Sequence, residues 1–209
     1  MDRKGILLVV SGFSGAGKGT LMKELVSRYD NYALSISATT RSPREGEVDG
    51  REYFFRTKEE FEQMIADEAL IEHACYVGNY YGTPRAYVEE QLALGRDVIL
   101  EIEIQGALQI KKRFPDTLLL FVSTPDAETL KNRLIGRGTE SLEVVEKRLS
   151  RASEEAEGIE NYDYFIINDD LDTCVTQVHQ IIQGEHSRVS RNLELINTIK
   201  KDISKFQKG

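Results

Sequence analysis

The chain predicts an α/β fold built on a five-stranded parallel sheet with helices on both faces. Three observations carry that expectation. Short apolar runs of strand length alternate with stretches of helical spacing. The first of them is followed at once by a glycine-rich turn that opens a helical pattern, Gly12-Phe13-Ser14-Gly15-Ala16-Gly17-Lys18-Gly19-Thr20. Finally, 209 residues with 40% hydrophobic content suffice for one sizeable core, as a single domain with subdomains.

Taken in order, residues 6–10 read as a strand, and Leu21, Leu25 and Val26 give the helical spacing that follows the turn. Residues 32–36 read as a second short strand. From 37 to 95 the character changes, which predicts an inserted subdomain. Its parts are a loop over 41–47, a strand over 52–55, a helix over 58–66, a strand over 69–77, a turn at Gly78-Asn79 and a helix started by Pro84. The main pattern returns with a buried strand over 97–104, a helix over 105–114 and a strand over 117–122. A helix from Pro125-Asp126 runs to Ile135, Gly136-Arg137-Gly138 breaks it, and helical character resumes over 142–157. Residues 164–167 form the fifth strand of the sheet, and a long helix from Leu171 is softened at Gly184. In the last stretch the apolar residues Val189, Leu193, Ile196, Ile199 and Ile203 predict a helix docked on its own domain, in preference to one packed on a partner subunit. The core is thus 1–36 and 96–209, interrupted by 37–95.

Charge and composition narrow the function. A net charge of −8 argues against a nucleic-acid or acidic-membrane surface, so anion binding must be local. The apolar runs fall far short of the roughly 20 residues of a membrane span, and the start leads straight into a strand with no signal-peptide pattern, so the expected setting is cytoplasmic. Cys75 and Cys174 read as reduced structural thiols. His73, His179 and His186 match no metal-ligand spacing, the last two being expected at the surface of one helix.

Several segments carry chemistry. Three glycines bend the first turn so that its N–H groups face inward, the helix N-terminus adds positive character, and Lys18 supplies a point charge for polyphosphate. Gly19 takes the place of the usual magnesium-binding hydroxyl, with Thr20 one residue later. In a parallel sheet ligands sit at the carboxyl ends of strands, which gathers this turn, residues 37–44 and the end of the 97–104 strand around one cleft. Glu101 and Glu103, two apart on that strand, are expected to emerge together beside the phosphate loop. Arg41 and Arg44 lie on a tight loop at the same face, where planar guanidinium groups bind phosphate bidentately.

Read together, these segments resemble the guanylate kinases over nearly the whole chain. The most specific matches are Ser37-x-x-Thr40-Arg41-x-Pro43-Arg44-x-Gly46-Glu47 and Gly78-Asn79-Tyr80-Tyr81-Gly82, which general phosphate-loop kinases lack. The resemblance implies transfer of the ATP γ-phosphate to GMP or dGMP with Mg²⁺, in purine nucleotide metabolism. By the same resemblance Ser37, Arg41, Arg44, Tyr53, Glu72, Tyr81, Thr83 and Glu103 are the GMP ligands. Arg41, Arg44, Tyr53 and Tyr81 take the phosphate; Ser37, Glu72, Thr83 and Glu103 read the base. The 12–20 turn with Arg133, Arg137 and Asn168 is the ATP side, and residues 136–150 form a mobile lid. Lys18, Arg41, Arg137 and Arg148 are the expected catalytic cations. Thr20 and Glu101 are the candidate metal contacts, direct or through water. This chain departs from the family in having Phe13 where proline is frequent and Glu101 and Glu103 where many members have aspartates. Two rival readings are a guanylate-kinase-like module that binds phosphorylated peptides and a kinase for another small phosphate ester. Intact Lys18 and lid arginines count against the first, and the base-reading set Glu72, Tyr81 and Thr83 against the second.

Overall fold

A computed structural model describes residues 4–76, 78–136, 148–150, 152–153 and 156–206. Five parallel strands form the main sheet: β1 (Leu7–Gly12), β2 (Tyr32–Leu34), β7 (Asp97–Glu101), β8 (Leu118–Ser123) and β9 (Tyr164–Ile167), in the spatial order β2-β7-β1-β8-β9. Register runs Leu7 opposite Val98 on one side of β1 and Leu8 opposite Leu118 on the other. All six residues of β8 are buried, as expected of a strand covered on both faces.

Alternation along β1 divides the core. Leu8 and Val10 join Leu21, Met22 and Leu25 of α1 (Lys18–Arg28) and Val175, Val178 and Ile182 of α6 (Leu171–His186) on one face. On the other face Val9 meets Val98 and Leu100 of β7, Ala107 and Ile110 of α4 (Ile104–Arg113) and Val88 of α3 (Arg85–Ala93).

A second, four-stranded sheet occupies the connection between β2 and α3. Its strands β3 (Ala38–Thr39), β4 (Phe54–Phe55), β5 (Leu70–Tyr76) and β6 (Asn79–Pro84) lie in the order β4-β3-β6-β5. Phe61 of α2 (Lys58–Ala66) fills its small core with Ala38 and Leu70. Helix α2 starts on a capping box, in which Thr57 Oγ1 accepts from the Glu60 amide at 3.1 Å and Glu60 Oε2 accepts from the Thr57 amide at 2.7 Å.

The structure departs from the sequence expectations in several places. Residues 79–84 form a strand, β6, hairpin-paired to β5 with Ala74 opposite Tyr81; Pro84 caps α3 from outside. Helix α6 continues through Gly184 to His186 without a break. His179 and His186 are partly buried: the ring of His179 stacks on Tyr29 at 3.6 Å, and His186 Nε2 lies 2.8 Å from Oδ1 of the buried Asp97, which also accepts from the Ile6 amide. The tail forms α7 (Leu193–Lys205), but none of its residues is buried and Leu193, Ile199 and Ile203 stay exposed, so it is not docked on its own domain as expected. Helix α5 (Ala127–Gly136) ends where the described chain breaks off, and residues 148–150 and 152–153 are again helical.

Candidate functional site

The phosphate loop begins where β1 ends. Gly12, at φ +152°, passes so close to β8 that a Cβ there would lie 2.0 Å from the Val122 carbonyl oxygen, and a Cβ at Gly17, where φ is +87°, would lie 2.6 Å from Asn168 Nδ2. No side chain fits either position. The loop is also tied from outside: Asn168, 6% exposed at the end of β9, donates through Nδ2 to the Ala16 carbonyl at 2.8 Å. Arg133 on α5 donates to the Asn168 carbonyl at 2.9 Å, and Arg148 Nη1 donates to Ser14 Oγ at 3.0 Å. Phe13 packs edge-on against Phe121, with centroids 5.0 Å apart. Lys18 is the first residue of α1, and its Nζ donates to the carbonyls of Gly12 at 2.7 Å and Phe13 at 3.1 Å. The structure thus brings Arg133, Arg148 and Asn168 together at the loop. Arg137 and most of the expected lid over 136–150 lie outside the described residues.

On the smaller sheet the charged groups are held by one another. Arg41 Nη2 donates to both oxygens of Glu47, at 2.9 and 3.0 Å, while Glu47 Oε2 also accepts from the Arg44 amide at 2.7 Å. The Arg41 guanidinium stands 5.3 Å from the centroid of the Tyr53 ring and 5.9 Å from that of Phe55. Tyr53 and Tyr81 meet edge to face at 6.1 Å. Hydrogen bonding from Arg41 and from the Arg44 amide holds the Glu47 carboxyl below its ordinary range. Arg44 itself is exposed and Ser37 half-buried, its carbonyl accepting from the Phe54 amide. Glu47 stood in the sequence motif without an assigned role, and the structure gives it one: it holds the Arg41 guanidinium and the Arg44 backbone amide.

Glu72 is the most unusual group of this sheet. It is 7% exposed on β5, and its Oε1 accepts from Oγ1 of the fully buried Thr83 on β6 at 2.8 Å. Burial pushes its carboxyl above the ordinary glutamate range, against the bonds from the Thr83 hydroxyl and amide, which pull it down. A carboxylate sequestered in this way has a strong need of further donors.

Glu101 and Glu103 do not emerge together from one strand. β7 ends at Glu101, and Glu103 is the N-cap of α4, with Ile104 already helical; both glutamates are exposed. The strand pattern runs into a helix start that has no cap-type residue to announce it. Glu101 still belongs to the cleft, because its Oε2 lies 4.0 Å from where a Cβ of Gly19 would be. Its charge also acts on Tyr53, whose phenol is raised first by burial, then by Tyr81, and in smaller part by Glu101. Glu101 therefore lies beside the phosphate loop and within electrostatic reach of Tyr53.

Among the described residues no group of three or more His, Cys, Asp or Glu is placed to hold a metal ion unaided. The oxygen donors at the loop, exposed Thr20 and the Glu101 carboxylate beside Gly19, suit Mg²⁺, which takes one or two protein oxygens and completes its shell with water and phosphate.

Comparison with known proteins agrees with this geometry. The family model for guanylate kinase matches residues 4–185. The guanylate kinase of Bacillus anthracis is 53% identical over 191 residues, covering 91% of this chain and 93% of that one. That of Streptococcus agalactiae serotype III (strain NEM316) is 48% identical over 206 residues, 98% and 99% of the two chains. The crystal structure of guanylate kinase from Anaplasma phagocytophilum superposes with a TM-score of 0.72 at 30% identity, covering 90% of this chain and 89% of that one. A match of this extent, on a chain that carries the loop and the second sheet in place, means that this protein belongs to the guanylate kinase family.

Proposed function

We propose that the chain transfers the γ-phosphoryl group of ATP to GMP, giving ADP and GDP, and accepts dGMP in the same pocket. The observation that carries this reading is the buried Glu72–Thr83 pair on a subdomain that also carries Arg41 against Tyr53, with Tyr81 beside it. Guanine presents N1–H and a 2-amino group side by side, and a carboxylate accepts both. Adenine has neither donor there. It would leave Glu72 buried and unpaired, a mismatch that such sites reject by roughly 10⁴ to 10⁵.

In this reading residues 37–95 are the acceptor-binding subdomain. Ser37, Glu72, Thr83 and Glu103 read the base, and Arg41, Arg44, Tyr53 and Tyr81 take the GMP phosphate. Lys18 leaves the loop carbonyls for the β- and γ-phosphates as the loop amides close on them. A GMP phosphate oxygen attacks the γ-phosphorus in line; the bond to the β–γ bridging oxygen breaks, and its electrons leave with ADP. Arg41 from the acceptor side and Arg137 and Arg148 from the lid over 136–150 neutralise charge on the transferred group, while Arg133 and Asn168 line the ATP side. Thr20 and Glu101 would hold Mg²⁺, directly or through water, and the ion supplies charge neutralisation at the phosphates when bound. The setting is cytoplasmic, with the two nucleotides as partners and neither nucleic acid nor membrane. Cys75 and Cys174 are free thiols, and burial pushes Cys174 up to about 11, as suits a reducing compartment. A coupled assay offering GMP, dGMP, AMP, UMP and CMP with ATP tests the reading. GMP should exceed AMP by at least about 10³ in kcat/KM, and an AMP rate within a tenth of the GMP rate overturns it.

A further inference from the structure

We infer that Gly106 is a positioning residue for guanine recognition: its missing side chain lets the Glu72 carboxylate rest on the first turn of α4. The inference builds on the reading of Glu72 as the guanine acceptor. Gly106 is buried, the third residue of α4, and has ordinary helical backbone. Alanine is the better residue for such a conformation, so local backbone gives no reason for glycine there. Space does. A Cβ at 106 would lie 3.3 Å from Glu72 Oε2 and 3.3 Å from Ile102 Cδ1.

The two neighbours differ in their freedom to yield. Ile102 presents the end of a flexible chain. Glu72 is held by its other oxygen on the Thr83 hydroxyl, so a methyl group at 106 tilts the carboxylate about that bond and misaims the oxygen that remains for guanine. The first turn of α4 suits the charge as well. Its first helical bond runs from the Ala107 amide to the Glu103 carbonyl, which leaves the amides of 104–106 without helical acceptors at the end of the helix nearest Glu72. Through this contact a helix of the main sheet sets the aim of a side chain on the smaller sheet.

The test is Gly106→Ala, alone and with Glu72→Gln, in the full chain. The single variant should melt no earlier than wild type, raise KM for GMP about fivefold to twentyfold and leave KM for ATP within about twofold, since a few tenths of an ångström at a reading group weakens one substrate only. Added to Glu72→Gln, it should change GMP kinetics by less than about twofold, because the charge it misaims is already gone. GMP kinetics unchanged in Gly106→Ala, or GMP and ATP weakened alike, would overturn the inference. Full additivity with Glu72→Gln overturns it too. Should the variant melt earlier, calorimetric titration of both nucleotides well below its melting temperature separates the same outcomes. Were Glu72→Gln itself to leave GMP-over-AMP selectivity intact, the reading of Glu72 fails as well, whereas a silent Gly106→Ala beside a damaging Glu72→Gln refutes only the role of Gly106.

Discussion

The two halves of the cleft are made in different ways. The phosphate loop is a backbone object: its shape depends on Gly12 and Gly17 passing where no Cβ fits, on Asn168 bonded to the Ala16 carbonyl, and on Lys18 resting on its own loop. The smaller sheet, the acceptor side in the proposed reading, is a side-chain object, in which Arg41 is clasped by Glu47 and Glu72 by Thr83. A polyphosphate offers the same oxygens whatever base it carries, so main-chain amides serve it well. A nucleobase is recognised by its own pattern of donors, and that needs a particular side chain held in a particular place. Damage should therefore show up in different observables on the two sides.

The largest effect belongs to the loop. Lys18→Met replaces the mobile cation with an apolar chain of similar length, and kcat should fall by about a hundredfold or more with the far-UV circular dichroism unchanged. Retention of more than about a tenth of wild-type turnover would remove Lys18 from the chemistry. On the acceptor side, Glu72→Gln keeps the shape but turns an NH₂ toward a guanine donor. The expected loss is about 2 to 4 kcal/mol in kcat/KM for GMP, with AMP little changed. A GMP-to-AMP ratio within about threefold of wild type, a change below 1 kcal/mol, would move the base contact to Glu103.

The smallest effect is on pH dependence, and it separates the two sides most cleanly. Burial raises the Glu72 carboxyl, and guanine needs it ionised, so kcat/KM for GMP should decline with acid at a pH above the ordinary glutamate range. The acid limb should be missing from Glu72→Gln, and ATP binding should not share it. Stability responds with the opposite sign. A carboxyl whose folded pKa is raised takes up a proton on folding, so its contribution is fullest below the ordinary glutamate value and is lost as pH rises through the folded pKa. Between those two values, acidification should strengthen the empty protein against heat while it weakens GMP. Parallel movement of melting temperature and GMP affinity would show that Glu72 is not the group involved.

The same division explains what the sequence reveals. β8 is buried on both faces and reads as an unbroken apolar run; β9 stands out by its apolar residues 164–167 although Phe165 and Ile167 of this edge strand are exposed. The smaller sheet gives no such signal at two of its strands. β3 is two residues long, and β6, Asn-Tyr-Tyr-Gly-Thr-Pro, reads as a turn followed by a helix cap until β3 and β5 are there to pair with it. The phosphate loop is legible because its glycines and lysine are spaced by the backbone itself. Glu72 is legible only through its resemblance to a family, since a lone glutamate between Ile71 and His73 says nothing about burial. The misplacement of Glu103 comes from extending a period-two pattern into a helix whose N-cap is not a Ser, Thr, Asp or Asn. Amphipathic spacing in 193–205 correctly indicates a helix, but periodicity does not say what its apolar stripe touches.

The chain topology reaches beyond this reaction. The smaller sheet fills the connection between β2 and α3, and α3 returns the chain to β7, the immediate neighbour of β2, as in any β-α-β crossover. On the proposed reading, acceptor specificity is therefore a cassette inserted into one connection, while the phosphate loop sits in another. The parts that meet on the main sheet do not depend on the cassette for their strand order. A lineage carrying such a layout can exchange or reshape the acceptor module by insertion and deletion without rebuilding the scaffold that handles ATP. For protein engineering, the same ends offer themselves as a graft site for a different acceptor domain.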